Sequence, residues 1–430
     1  MTNFNSQNEI AIIGGLRIPF AKSFGHYGRA KIQEMLTLIT NELVTKFNLE
    51  KKTLGEVAFG SVMAHTADWN LSREVVLGTK LSAHTPALNL QRACGTSLDT
   101  FNVIGLKIAC GQIQIGIAGG ADTNSDLPVA VDRRFGNRLV EMGRARSLGE
   151  RFAAFKGFSL QELKLKFPGV VEPRTVLSMG EHCEQMVKKW EISREAQDQL
   201  ALESHQKAAH AYERGFYDDL LIPYRGLSRD TTMRGNTTLE QLARLKPAFD
   251  RSALGTLTAG NSTPLTDGAS AVLMASVENA KREGYPILAK LIDFQSSGVD
   301  YVSGEEGLLM APTYAVSELL RRNGMHLQDF DLYEIHEAFA GQVLCTLKAW
   351  ESETYCKDKL QLEKAIGEID RSKMNVNGGS LAIGHPFAAT GTRIVSSLAK
   401  ALKERGGGRG LISICTAGGM GVAAILESEG

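Results

Sequence analysis

Short apolar runs alternate with longer segments of helical periodicity along the first third of the chain. The runs predict strands over residues 10–13, 57–62, 87–94 and 113–119, and the periodic segments predict helices over residues 32–47, 71–81 and 97–110. Strands that alternate with helices in this way are typical of βαβ units, in which helices cover both faces of a sheet. The pattern therefore predicts an α/β fold.

The same order of elements recurs in the last third of the chain. Strands are predicted over residues 287–294, 332–335, 374–377, 411–415 and 422–426, and helices over residues 313–322, 340–350 and 391–405. This recurrence predicts two related halves. Residues 255–274 return to the apolar core pattern and are predicted to add a final strand to the first sheet.

Residues 127–250, between the halves, have a different pattern of hydrophobic and polar positions. It contains basic and amphipathic segments and few β-like runs, so we predict a largely helical insertion. Its most charged part, residues 133–166, is punctuated by aromatic side chains. Two interpretations of this part stay open: a solvated pair of amphipathic helices, or a surface that contacts a membrane or a partner protein.

Composition and charge narrow the class of protein. A chain of 430 residues, 43% of them hydrophobic, can bury a large core and hold more than one domain. The 48 basic and 48 acidic residues cancel, so no overall field attracts nucleic acid and none is expected as a partner. No stretch approaches the roughly 20 apolar residues of a membrane span, and residues 1–8 show no targeting pattern.

The six cysteines lack CxxC pairs and regular spacing. A disulfide framework is not expected in a chain of this size, and a reducing cytoplasm is the expected location. The neighbours His182, Cys183 and Glu184 resemble metal ligands in type, but adjacent residues on a helix do not share a face. We therefore predict no metal site.

Cys94 lies where an apolar run ends and a Gly-Thr-Ser turn opens a helical segment, in the sequence NLQRACGTS. The dipole and free amides of a helix N-terminus favour thiolate over thiol, so a reactive cysteine is expected at such a junction. A buried structural cysteine is the alternative. His385 and Cys415 each stand among glycines near the C-terminus. His385 follows the third strand of its half, as Cys94 does, so both are expected at one central cleft.

Several motifs now identify a family. The chain resembles a thiolase from end to end on the strength of Cys94, GGAD at 119–122, LKPAF at 245–249, GHP at 384–386 and Cys415 with its glycines. The resemblance implies an α/β fold of duplicated βαβαβαββ halves, stacked as layered sheets, with a helical loop domain inserted in the first half.

The implied domains are an N-terminal half over 1–126, completed by 251–277, a loop domain over 127–250 and a C-terminal half over 278–430. The loop domain is expected to bind coenzyme A and to contact a partner or a membrane.

Within the family, HEAF at 336–339 and NVNGGS at 375–380 look like the β subunit of the fatty-acid oxidation multienzyme complexes. Most other thiolases have Asn where this chain has His336. The charged insertion also resembles that subclass. The implied partners are a second copy of the chain and an α subunit with enoyl-CoA hydratase and 3-hydroxyacyl-CoA dehydrogenase activities, in a heterotetramer.

The resemblance also assigns roles at the site. Cys94 matches the nucleophile that attacks a 3-oxoacyl-CoA, His385 the histidine that activates it, and Cys415 the acid/base that protonates the acetyl-CoA enolate. The amides of Cys94 and Ala417 match the pair that binds the tetrahedral oxyanion. His336 is expected near the enolate oxygen, donating directly or through water. A core histidine satisfied by a neighbour is the alternative.

Contacts to coenzyme A follow from the same resemblance. Arg234 matches an arginine that stacks on adenine, although a solvated surface charge is the alternative. Met179, Phe249, Thr263 and Phe339 match positions that line the substrate channel. Coenzyme A is a substrate, and no cofactor is expected.

Three functions are therefore carried forward. The first is thiolysis of 3-oxoacyl-CoA in fatty-acid β-oxidation, and the second is the reverse condensation, run by a biosynthetic acetoacetyl-CoA thiolase. The third is a non-catalytic lipid-binding or scaffold protein, which would not need Cys94, His385 and Cys415 together.

Overall fold

The structure is a computed structural model and describes residues 8–430, so most of the polar segment over residues 1–8 lies outside it. The strands are β1 (Ile10–Arg17), β2 (Ala21–Lys22), β3 (Glu56–Phe59), β4 (Ala87–Asn89), β5 (Ile115–Asp122), β6 (Ala130–Val131), β7 (Leu165–Lys166), β8 (Thr266–Ser276), β9 (Ala289–Gly298), β10 (Leu332–Ile335), β11 (Gly408–Thr416) and β12 (Met420–Ser428). The helices are α1 (Ile32–Lys46), α2 (Leu71–Leu77), α3 (Thr96–Ala109), α4 (Arg133–Arg144), α5 (Leu148–Ala153), α6 (Met179–Lys189), α7 (Arg194–Glu213), α8 (Leu239–Ala243), α9 (Val277–Glu283), α10 (Ala311–Asn323), α11 (Ala340–Glu351), α12 (Glu353–Asp358), α13 (Ser380–Ile383) and α14 (Thr390–Glu404).

The strands of the two halves have matching orders and lie side by side in one main sheet. The order along this sheet is β10-β11-β12-β9-β1-β8-β5-β3-β4. The halves are joined by an antiparallel pairing of Ile10–Ile12 in β1 with Ala289–Leu291 in β9. Read outward from this junction, β1, β8, β5 and β3 correspond to β9, β12, β11 and β10. The predicted final strand of the first sheet is β8, which lies between β1 and β5.

Helices and sheets alternate in layers because strand side chains alternate between two faces. In β12, Val422 and Ala424 pack in the core that contains α3 and α14, whereas Ala423 and Ile425 pack in the core that contains α10 and α11. The helices α1 and α2 cover the other side of the first sheet. The result is the predicted layered α/β fold, with α3 and α14 in the middle layer.

The predicted strand over residues 374–377 is wrong. Only an isolated parallel bridge forms there, between Tyr333 and Met374. Asn375 has a positive φ of 46°, which interrupts the extended backbone. Its side-chain amide replaces the strand ladder, since Oδ1 accepts from the Ile335 amide (2.9 Å) and Nδ2 donates to the Ile335 carbonyl (2.9 Å).

The insertion between β5 and β8 contains α4 to α8, as predicted, and a short antiparallel pair, β6 and β7, that the sequence did not indicate. Arg138 of α4 organises its first part, because the guanidinium pairs with Glu162 (2.6 Å) and donates to the Ala154 and Lys156 carbonyls (2.8 and 3.0 Å). Within residues 8–430, no helix combines the length and apolar character that a membrane crossing requires.

Candidate active site

Cys94 lies at the start of α3, in a 3₁₀ turn over Ala93–Gly95. The predicted strand over 87–94 ends at Asn89 because Ala93, at a φ of 42°, turns the chain towards the helix. The Thr96 hydroxyl fixes this turn by accepting from the Arg92 amide (2.8 Å) and donating to the Ala93 carbonyl (2.7 Å). The half-buried Cys94 side chain lines the main cavity.

His385 reaches the same cavity from the loop between α13 and α14. Gly384 before it has a φ of 102°, a conformation that residues with a Cβ rarely adopt. The His385 amide donates to Thr266 Oγ1 (2.8 Å), and its Nδ1 hydrogen-bonds to Thr390 Oγ1 (2.5 Å). Its Nε2 is buried without a partner in the described part of the chain, so this nitrogen is available to a bound molecule.

Cys415 lies near the end of β11, beside the three-residue loop Ala417–Gly419 that leads into β12. Its side chain is buried and also lines the cavity. The backbone amides of Ala417 and of Cys94 itself lie close enough to the Cys94 sulfur to lower the pKa of the thiol. Both donors are therefore beside the place where an oxyanion would form, and their role as the oxyanion-binding pair stays a prediction.

His336 follows β10, and its ring centroid lies 4.2 Å from that of His385. Ser380 Oγ lies 2.9 Å from His336 Nδ1 and accepts a hydrogen bond from Arg393 Nη2 (2.8 Å). Because a guanidinium only donates, the Ser380 proton is free to point at Nδ1, which leaves the histidine proton on Nε2. That Nε2 is buried without a partner among residues 8–430, so His336 is not a fully satisfied core histidine.

Burial sets the protonation of these groups. It raises the pKa of Cys94 to about 12, against the opposing hydrogen bond from the Ala417 amide. Burial also lowers the pKa of His385 to about 3, and the Arg393 charge acts in the same direction. At neutral pH the unliganded site therefore holds a thiol and a neutral imidazole. Burial and the dipole of α3 act in opposite directions on the Cys94 thiol, and burial is the larger cause of its shifted pKa, so activation of the thiol by the helix stays a prediction.

The pKa values of Cys415 and His336 shift in the same directions as those of Cys94 and His385. Burial raises the pKa of Cys415 well above its ordinary value, with the neighbouring Cys94 as the next contribution. Burial lowers the pKa of His336 well below its ordinary value, and His385 and Arg393 add to this effect. Both groups are neutral at physiological pH, as an acid and a hydrogen-bond donor should be before reaction.

The cavity has a volume of about 420 Å³ and mainly hydrophobic walls. Four of the residues predicted to line the substrate channel lie in its wall: Met179, Phe249, Thr263 and Phe339. The Phe249 and Phe339 rings pack edge to face, with centroids 5.8 Å apart. Arg234 does not reach this wall. It lies exposed in the loop between α7 and α8, and its contact with adenine stays a prediction.

The triplet over residues 182–184 has structural contacts. His182 Nε2 hydrogen-bonds to Thr175 Oγ1 (2.7 Å), and the Glu184 carboxylate accepts from the Thr256 and Leu257 amides (2.8 and 3.0 Å). Among residues 8–430, no group of three potential ligands is arranged to hold a metal ion.

Several residues of the site were not singled out from the sequence. Ser380 and Arg393 orient His336, and Asp122 anchors the loop after β3, its carboxylate accepting from the Met63 amide (2.7 Å). Glu172 of the insertion lines the cavity. Ser380 and Asp122 lie within motifs NVNGGS and GGAD, so the sequence could have indicated them. No motif contains Glu172.

Two family models match nearly the whole chain: "Thiolase, N-terminal domain" over residues 10–278 and "Thiolase, C-terminal domain" over residues 285–428. A 3-ketoacyl-CoA thiolase of Shewanella loihica is 43% identical over 98% of this chain and 97% of its own length. A protein of the same name from Shewanella baltica is 43% identical over 99% of this chain and 98% of its own length.

Solved structures agree with this match. The Bacillus anthracis acetyl-CoA acetyltransferase superposes with a TM-score of 0.82 at 29% identity, covering 98% of this chain and 99% of that one. A thiolase from Ascaris suum in complex with coenzyme A superposes with a TM-score of 0.80 at 25% identity, covering 98% of this chain and 100% of that one. The chain belongs to the thiolase family.

Proposed function

We propose that the protein cleaves 3-oxoacyl-CoA with coenzyme A, releasing acetyl-CoA and an acyl-CoA two carbons shorter, as the last step of fatty-acid β-oxidation. The observation that carries this proposal is the convergence of Cys94, His385, Cys415 and the Ala417 amide on one apolar cavity. The 3-ketoacyl-CoA thiolases that match end to end support the reaction and its substrate class.

In the first half-reaction, His385 Nε2 takes the proton of Cys94 as the sulfur attacks the 3-keto carbon. Because the resting pair is neutral, proton transfer accompanies formation of the C–S bond and no free thiolate accumulates. The amides of Cys94 and Ala417 stabilise the oxyanion. The C2–C3 bond then breaks and leaves an acyl group on Cys94 and the enolate of acetyl-CoA.

The enolate takes a proton from Cys415 at C2, while the Nε2 protons of His385 and His336 stabilise its oxygen. In the second half-reaction the Cys415 thiolate takes the proton of coenzyme A, whose sulfur attacks the acyl group. Cys94 leaves and recovers its proton from His385, so every group returns to its starting state. Coenzyme A is a substrate, and these steps use neither metal nor cofactor.

For coenzyme A itself, we propose that Met179, Phe249, Thr263 and Phe339 surround the pantetheine arm and the thioester, since all four line the cavity. Arg234 would meet the adenine outside the cavity, where its exposed position is accessible. A homodimer is proposed from the family resemblance alone.

We further propose that the chain acts on medium- and long-chain substrates with an α subunit that carries hydratase and dehydrogenase activities. His336 and the insertion support this subclass. The insertion offers a contact surface: residues 133–166 contain nine basic and three acidic residues, and Leu148, Phe152 and Leu160 are 71%, 79% and 79% exposed. Exposed apolar side chains on a basic background fit an acidic partner surface. The six free cysteines fit a reducing compartment such as the cytoplasm.

The test is coenzyme A-dependent thiolysis by the purified protein, comparing acetoacetyl-CoA with 3-oxohexadecanoyl-CoA and using Cys94→Ala as the control. Long-chain preference that is lost in Cys94→Ala supports the proposal. Strict preference for the four-carbon substrate supports the biosynthetic alternative instead. Absence of turnover with either substrate, with and without the α subunit, contradicts both enzymes.

A further inference from the structure

A tight loop of the insertion brings a carboxylate into the wall of the catalytic cavity. Glu172 is only 6% exposed and lines the cavity together with Gly169, Val170 and Val171. The loop is closed on itself, because the Glu172 amide donates to the Leu177 carbonyl (2.9 Å) and the Glu172 carbonyl accepts from the Val176 amide (2.8 Å). The position of the carboxylate is therefore fixed by backbone contacts.

The partners of this carboxylate belong to the C-terminal half. Glu172 Oε1 accepts from the Gly418 amide (2.7 Å), and Oε2 accepts from the Tyr301 hydroxyl (2.8 Å). Tyr301 also packs on the next residue of the loop, since a Cβ at Gly419 would lie 2.6 Å from Tyr301 Cδ1. Glu172 and Tyr301 thus grip the loop Ala417–Gly419 at two points.

This loop needs an external constraint. Gly418 and Gly419 have φ values of 78° and 68°, and consecutive glycines have the most freely varying backbone. The Gly418 amide belongs to the peptide that follows Ala417, and the Ala417 amide lies near the Cys94 sulfur and lowers the pKa of its thiol. An acceptor that holds the Gly418 amide therefore restricts the direction of the Ala417 amide.

Packing alone explains Glu172 poorly. Its two partners are neutral donors, and a carboxylate buried with neutral donors costs stability relative to a paired or apolar side chain. A carboxylate at this place, with both oxygens bound at the glycine loop, therefore points to a role in the chemistry rather than in packing.

We propose that Glu172 is a positioning residue for the thiolase reaction, holding the glycine loop so that the Ala417 amide points at the developing oxyanion. This inference rests on the proposed function. It makes the insertion part of the catalytic apparatus, because one of its side chains shapes the oxyanion site from outside the two duplicated halves.

Alkylation of Cys94 by iodoacetamide, followed against pH by peptide mass spectrometry, gives a readout that does not require turnover. The Ala417 amide lowers the pKa of the Cys94 thiol, so a loop that is no longer held should move the alkylation profile to higher pH. A defect that admits water to the cavity moves the profile the other way, because burial is the largest cause of the raised pKa.

The variant is Glu172→Leu, which removes both acceptor oxygens. Its conservative counterpart is Glu172→Gln, which removes the charge but keeps an oxygen that can accept from the Gly418 amide, and the surface control is Glu141→Leu at an exposed position of α4. We expect Glu172→Leu to lower kcat for 3-oxohexadecanoyl-CoA by about 10- to 100-fold with KM within about twofold of wild type, and Glu172→Gln to recover most of that loss. The alkylation profile of Glu172→Leu lies at higher pH than that of Glu172→Gln, and the control matches wild type in both assays.

A second variant, Tyr301→Phe, frees only Oε2 and is expected to lower kcat less than Glu172→Leu does. The inference is overturned if Glu172→Leu keeps the kcat of Glu141→Leu, or if Glu172→Gln loses as much kcat as Glu172→Leu. If Glu172→Leu does not fold, an unchanged kcat in Tyr301→Phe overturns it. If wild-type protein shows no thiolysis, the proposed function fails and this inference fails with it, whereas wild-type thiolysis with an unimpaired Glu172→Leu overturns this inference alone.

Discussion

The reactivity of Cys94 depends on how far its sulfur is removed from water. A helix N-terminus and two amides favour the thiolate, yet burial and the nearby Asp122 and Glu172 carboxylates keep the thiol protonated. A thiol of this kind is unreactive until a substrate carbonyl is bound. Its low thiolate content also protects the cysteine from oxidation between turnovers.

We therefore predict the pH dependence of Cys94 alkylation in the free protein. Its pKa is raised to about 12, so the thiolate fraction and the iodoacetamide rate should rise about tenfold per pH unit between pH 7 and 10. His385, with its pKa lowered to about 3, forms no ion pair in this range. Peptide mass spectrometry separates Cys94 from the exposed Cys110. A plateau near neutral pH would reveal a thiolate–imidazolium pair and contradict this assignment.

Ser380→Ala should change the tautomer of His336 while the other side chains of the site stay in place. Loss of the hydroxyl removes the partner that fixes Nδ1, so the Nε2–H form is no longer selected and kcat is expected to fall about tenfold with little change in KM. The ¹⁵N shifts of His336 report the tautomer directly. Ser396→Ala is the matched control, since within residues 8–430 the hydroxyl of that buried serine bonds only to the Thr392 carbonyl of its own helix. Unchanged ¹⁵N shifts in Ser380→Ala would refute the role of the hydroxyl.

At the scale of elements, several predicted strands are longer than the observed strands, because their last residues form loops. The predicted strand over residues 57–62 ends at Phe59, and its last predicted residue, Val62, binds a side chain with its amide instead of a neighbouring strand. Asp122, at the end of β5, accepts from the Val62 and Met63 amides (2.9 and 2.7 Å). It also accepts from the Ala388 amide of the other half (2.8 Å).

Asp122→Ala is therefore predicted to be strongly destabilising. The change leaves several buried amides without an acceptor, each at a cost of about 1–3 kcal/mol, so unfolding free energy should fall by about 3 kcal/mol or more. Chemical denaturation measures the loss. Asp126→Ala, a change at a half-exposed carboxylate four residues later, should cost less than about 1 kcal/mol. Equal effects of the two changes would contradict the role of Asp122.

The sequence was a good guide to the alternating elements and to three side chains that the fold brings to one cavity, Cys94, His385 and Cys415. Helices such as α1 and α11 were predicted within a few residues because their apolar positions repeat with the helical period over many turns. Residues 374–377 were mispredicted because a single backbone angle at Asn375, invisible in an apolar pattern, ends the strand. Contacts such as Glu172 with Gly418, 246 positions apart, arise only from the tertiary fold.

At the scale of the whole molecule, one part of the insertion lines the cavity, through residues such as Met179, and another part, residues 133–166, faces outward. Phe135, Phe155 and Phe158 pack on one another inside the insertion, whereas Phe152 remains exposed. This part of the insertion therefore has a small cluster of partly buried aromatic rings and an exposed apolar surface. The outward surface can be altered without touching the cavity.

On the proposal that residues 133–166 contact an α subunit, we predict that Phe152→Asp combined with Leu160→Asp weakens binding of the proposed α subunit at least tenfold, since apolar contacts would be replaced by charges. Thiolysis by the isolated protein should stay within about twofold of wild type. Analytical ultracentrifugation of the mixture measures association. Phe155→Asp is the contrasting change, which should damage the insertion itself. Unaltered α-subunit binding, with loss of flotation on anionic vesicles instead, would assign this surface to a membrane.

The shared middle layer has a consequence for how the molecule holds together. α3 comes from one half and α14 from the other, and both bury their apolar faces in a single core that includes strands of both sheets. Neither duplicated half closes that core by itself. The halves are therefore expected to unfold in one cooperative transition, and a cut in the connection between α9 and β9 should yield two fragments that recover structure only when mixed.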